Sequence, residues 1–288
     1  MFDQTKKKDP EKPDPLTQTP APDRLAYATG VLLDAQDFDA EQTYHRSRLA
    51  RSLAFLHGSG TVAGLEVKAE VRNGVEELKV EAGIAIDRLG RLIELPETGV
   101  CLRLNRWYDA QSKDDLIQAF YAAPYNGVVA DLFVRFVACE RGKTPAFATG
   151  AFDATDAIVP SRIRDAFEVN LILRKDIRPD ATPPQLKLPQ SPFSDLAPVP
   201  GETPADRLRR LQADIFRAWQ ASSQRGSEYT EGQDITAVFL ARVTFPATSA
   251  PPGGRPTRTR TPLTSADIDN SQRLFVYPTG AIVQLLNL

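Results

Sequence analysis

Three features of this 288-residue sequence predict an α+β fold, an antiparallel β-sheet or sandwich core with two helices packed on it. Apolar residues recur at helical spacing over about 35–57 and again over about 204–224. Between Gly64 and Leu104 the period changes to two, punctuated by turn dipeptides. Three later apolar runs, "VVADLFVRFVACE", "RIRDAFEVNLILR" and "DITAVFLARVTF", supply further strands.

Residues 1–22 hold five prolines and only Phe2 and Leu16 as large apolar side chains, so a disordered Pro/Lys-rich arm is expected there. One composite domain is expected over 23–288. The first helix is announced by Asp34 as N-cap, with Asp37 three residues on. Ala35, Phe38, Gln42, His45, Leu49, Leu53 and Leu56 then form one stripe, which predicts the face that packs on the sheet. Acids gather in the first turns and Arg46, Arg48 and Arg51 later, complementing the macrodipole, and Gly58 is the natural stop.

After Gly64, Leu65, Val67, Ala69 and Val71 alternate up to Asn73–Gly74, the strongest short hairpin signal, and Val75, Leu78 and Val80 follow. "GIAIDRLGRLIELP" repeats the pattern around a turn at Asp87–Gly90, and "GVCLRL" adds a strand, giving an antiparallel meander. "SKDDLIQAFYAA" predicts a short helix, and the run from Val128 to Glu140 predicts a strand buried on both faces. Residues 179–204 carry eight prolines, so 179–203 is expected to be a long loop, and 246–262 a second. Thr203 caps the second helix, with Pro204 at its first position and Leu208, Leu211, Ile215 and Trp219 as its stripe.

With 35 basic and 37 acidic residues the net charge is −2, so no global field draws the chain to nucleic acid or an anionic membrane. No run approaches the roughly 18 apolar residues of a membrane helix, and the first residues lack the apolar core of a secretion signal. A cytoplasmic protein is expected, with Cys101 and Cys139 as buried free thiols.

The search for chemistry ends without a site. Two histidines and two cysteines at 45, 57, 101 and 139 match no zinc template, and on a straight helix His45 and His57 stand about 18 Å apart. His45 is expected to pack on the sheet and His57 to close the helix end. The glycines of Gly58–Gly64 follow a helix rather than open one, so they do not form a dinucleotide loop. Arg255, Arg258 and Arg260 are expected in a solvated loop. No catalytic residue, metal ligand or cofactor site is assigned. Trp107, Tyr108, Tyr121 and Tyr125 are the aromatics that would stack on sugar rings if the chain were a carbohydrate- or receptor-binding module, with core packing as the plainer role.

"YATGVLLDAQDFDAEQTYHRSRLARSLAFLHGSGTVAGLEV", followed by "VEAGIAIDRLGRLIELP", resembles the opening of a family of structural proteins encoded with phage-tail-like contractile injection systems. "PSRIRDAFEVNLIL", "AVFLARVTF" and "DIDNSQRLFVYPTGAIVQLL" are similar to its later blocks. Ser52 stands where an asparagine or other polar residue is common in the family. The cysteine-rich insert of many relatives is absent, and no metal or disulfide carries over. The resemblance implies a baseplate-associated or accessory component, present in several copies, whose partners are baseplate, sheath or tube proteins. No enzyme activity is implied.

Overall fold

The structure, a computed structural model, describes residues 23–145, 158–175, 187–190, 199–221, 226, 228–252 and 254–285. The expected arm at 1–22 and most of the expected loop at 179–203 lie outside these residues.

The first helix, α1 (Ala35–His57), starts and stops where its local signals require. The Asp34 carboxylate accepts from the N–H groups of Gln36 and Asp37, and the Asp37 carboxylate accepts from the Asp34 N–H, closing a capping box. At the other end Gly58 donates its N–H back to the Ala54 carbonyl.

The expected meander is present, but each of its three long strands is broken in the middle. The first strand comprises β1 (Gly60–Gly64) and β2 (Val67–Arg72), the second β3 (Val75–Val80) and β4 (Gly83–Ile86), and the third β5 (Leu92–Leu95) and β6 (Val100–Arg103). Asn73 and Gly74, both at positive φ, make the two-residue turn between the first two strands. Pairing runs on through the break, because Leu65 donates to the Ala82 carbonyl and Glu81 to the Glu66 carbonyl. The bend divides the ribbon into two antiparallel sheets, β1-β4-β5 and β2-β3-β6.

Two short helices follow, α2 (Leu104–Ala110) and α3 (Lys113–Gln118), and then β7 (Phe120–Tyr121), β8 (Gly127–Pro145) and β9 (Ile158–Leu173). After α4 (Pro204–Ala221) come β10 (Val238–Thr248), β11 (Thr257–Arg258), β12 (Ile268–Asp269) and α5 (Thr279–Leu285). The third sheet has the order β11-β10-β8-β7, with β9 also on β8 and β12 on β10. Two strand segments thus lie at the edges of the stretch expected to be a loop at 246–262: β10 runs into it as far as Thr248, and β11 pairs back onto that end.

One core joins all three sheets. Val128 to Val134 of β8 are fully buried, with Leu240, Val243 and Phe245 of β10 beside them. The bent ribbon adds Leu65, Val67, Leu78, Val80, Ile93 and Leu95, while Leu104, Tyr108 and Leu116 close one end. Each such side chain contributes roughly 1.5–3 kcal/mol by leaving water.

Beyond Val134 the third sheet narrows to two strands. β10 pairs with β8 only up to Val134, whereas β9 stays with β8 out to Pro145. From Ala138 to Gly142 and from Pro160 to Asp165 the residues are exposed. The outer part of the strand expected to be buried on both faces is therefore a projecting two-stranded ribbon, because among the described residues no third strand or helix covers it. Cys139 lies on this ribbon and Cys101 on β6, and both are exposed free thiols, contrary to the expectation of burial.

Candidate functional site

The main departure from the sequence reading is the orientation of α1. Its buried side is built on Ser47 and Ala50, with Ala40, Thr43, Tyr44 and Ala54 half-buried around them. Apart from Leu53, which is half-buried, the predicted packing stripe lies on the opposite side. Phe38 is 53% exposed, Leu49 60% and Leu56 78%. His45, expected in the core, is an exposed side chain held by the Glu41 carboxylate at 2.9 Å. Ser52 and Gln42 share that outer face.

The physical reason is the depth of contact. Gly90, at φ 85 in the β4–β5 turn, sits so close to α1 that a Cβ there would stand 1.7 Å from the Ala50 carbonyl oxygen. Only small side chains permit that approach, so the Ser47 and Ala50 face turns inward and the bulky face turns out. The preceding segment extends the outer surface with Tyr27, Val31 and Leu32, the last 94% exposed.

The second helix repeats the theme. Thr203 and Asp206 form its N-terminal box. Its inward positions are mainly charged: Asp214 is buried and bonded to Arg217, and Arg210 grips Glu202 through two guanidinium nitrogens. Leu208, Ile215 and Phe216 are exposed, and the side chain of Trp219 lies outside the described residues. Two of the predicted packing residues, Leu208 and Ile215, thus face away from the body.

Buried charge is abundant among the described residues, and most of it is paired with opposite charge. Asp131, inside β8, accepts from Arg174 at 2.9 Å and from Arg242 at 2.8 and 2.9 Å. Burial works against the Arg242 cation, but Asp131 more than offsets it and raises its pKa. Glu76 accepts from both terminal nitrogens of Arg258 and from the Leu263 N–H. Burial alone would raise the Glu76 pKa, yet these bonds hold it below its usual value. Arg258, expected in a solvated loop, is therefore nearly buried, as the partner of a core-facing carboxylate. Asp87 goes the other way: burial raises its pKa, and Arg91 offsets this only in part.

These clusters are structural ion pairs. A small cavity lined by Ser59, Arg88, Glu228 and Phe239 has a volume of about 10 Å³, enough for roughly one water. Among the described residues no group of three or more His, Cys, Asp or Glu side chains is placed to hold a metal ion. Among them, too, no helix is long and apolar enough to cross a membrane.

The aromatics considered for sugar stacking are structural. Trp107 stacks on Phe245 and donates to the Leu171 carbonyl at 3.0 Å. Tyr108 and Tyr121 are buried and donate to the carbonyls of Pro256 and Arg174. Tyr125 is half-buried against Tyr121. They form no exposed platform.

The projecting ribbon carries its own charge pattern. Arg141 and Arg162 are direct cross-strand neighbours, and Arg164 lies opposite Cys139 on the same face. Among the described residues no further strand pairs with either backbone edge along that length, as on a strand-accepting surface.

The surfaces with unmet potential are therefore the outer faces of α1 and α4 and the ribbon. Compared with known proteins, the chain matches no family model and no curated sequence.

Proposed function

We propose that this chain is a structural component of a phage-tail-like contractile injection particle, baseplate-associated and acting through protein–protein contacts. The observation that carries the reading is the outward stripe of Phe38, Leu49 and Leu56 on a helix whose own packing uses the other side. A monomer gains nothing by leaving such side chains in water, since burying each is worth roughly 1.5–3 kcal/mol. An apolar surface of this kind marks a place where another protein binds.

The sequence blocks described above support the same reading, because the α1 segment and the bent ribbon after it are the stretch that resembles particle proteins. The role needs no catalytic group, metal or cofactor. A sugar-binding role loses its candidate residues, since all four aromatics are at least half-buried.

The test is co-purification with the particle. The chain, co-expressed with the genes of a phage-tail-like contractile particle, is expected to sediment with intact particles and to account for density near the baseplate in a cryo-EM map. Absence from every particle, with no binding to isolated baseplate, sheath or tube proteins, overturns the proposal.

A further inference from the structure

We propose that the partner on the outer face of α1 is a second copy of this chain, bound so that the two α1 helices run antiparallel. This rests on the assembly reading above and names the occupant of its main surface.

The argument begins with spacing. The outer face presents Ala35, Phe38, Gln42, His45, Leu49 and Ser52, all exposed. Their intervals alternate three and four and read the same in both directions about a point midway between Thr43 and Tyr44. A two-fold axis through that point lays Phe38 against Leu49 of the second copy and Gln42 against its His45. Such an isologous contact uses one patch twice. The helix is about 34 Å long, from 23 residues. Val31 and Leu32, on the segment before the helix, and Phe55 and Leu56, in its last turn, are exposed as well.

Charge decides the direction. Asp34, Asp37, Asp39 and Glu41 occupy the first part of the helix and its cap, whereas Arg46, Arg48 and Arg51 follow later. A parallel pair would set acids against acids and arginines against arginines. In the antiparallel pair, on one flank of the apolar strip, Glu41 comes level to within two residues with Arg48 of the second copy. On the other flank Asp39 does the same with Arg46. Helical geometry puts Glu41 with Arg48, and Asp39 with Arg46, on the same respective sides of the strip. Opposite charges that meet only in one orientation fix register and direction.

Sedimentation of the full chain at micromolar to tens-of-micromolar concentration tests this, with a dimer of twice 31.7 kDa expected. Leu49→Glu is expected to give a folded monomer with an unchanged far-ultraviolet circular dichroism spectrum. Arg46→Glu/Arg48→Glu and Asp39→Arg/Glu41→Arg are each expected to be monomeric alone, and an equimolar mixture of the two to dimerise. For direction, Phe38→Cys and Leu49→Cys are placed in separate chains that also carry Cys101→Ser and Cys139→Ser, because both native thiols are exposed. Disulfide formation is expected only in the mixture.

A wild-type monomer at tens of micromolar overturns the pairing, as does a dimer indifferent to Leu49→Glu or one in which Phe38→Cys links to itself. A chain that enters particles as a monomer sinks this inference alone. A dimer that never enters particles sinks the assembly reading while leaving the pairing intact.

Discussion

Asp131 sits in the middle of the most buried strand with Arg174 and Arg242 on either side, and all three side chains are almost wholly out of water. Removing one partner of a buried pair leaves the others uncompensated, which costs about 3–5 kcal/mol. Asp131→Ala is therefore expected to lower the unfolding free energy by about that amount in urea titrations, with the same slope against denaturant. The Glu76 and Arg258 pair predicts a pH dependence. The folded pKa of Glu76 lies below the ordinary 4.5, so its contribution is complete above that value and is lost as pH falls through the folded value. Asp87, raised above 3.8 by burial, acts in the opposite sense: its charged form becomes a cost to folding as pH rises through its folded value. Unfolding free energies measured between pH 5 and pH 3 are expected to fall less steeply in Glu76→Gln than in the wild type. Neither cluster was legible in the sequence. Glu76 and Arg258 are 182 positions apart, and only the closed fold brings them together.

At the scale of elements, the ends of α1, the Asn73–Gly74 turn and the cap of α4 were legible, because each depends on residues within one turn of the chain. The face by which α1 packs was not. Hydrophobic periodicity selects the bulkiest stripe, whereas the contact is set by how closely Gly90 approaches Ala50, a tertiary distance that no local pattern encodes. The strand β1 was hidden too, since the glycines of Gly60–Gly64 read as a turn, whereas its pairing with β4 is a tertiary contact. Gly90→Ala tests the close contact. Its left-handed backbone alone costs about 1–2 kcal/mol in an alanine, and the Cβ has no room beside the Ala50 carbonyl. The variant is expected to melt several degrees lower, and the amides around Ala50 to exchange faster by mass spectrometry. Unchanged protection there would mean that α1 is not held by this turn.

For the whole molecule, three sheets share one core while two helices and a ribbon keep binding potential on the outside. The stabilising contacts and the proposed assembly surface are therefore separate sets of residues, and substitutions can address them independently. The most direct measurement is incorporation of Leu49→Glu/Leu56→Glu into purified contractile particles, alongside its thermal unfolding. The expected result is a variant that still unfolds cooperatively on heating but is missing from the particles. A variant that enters particles as fully as the wild type, at equal stability, would contradict the assignment of the outer face of α1 as the assembly surface.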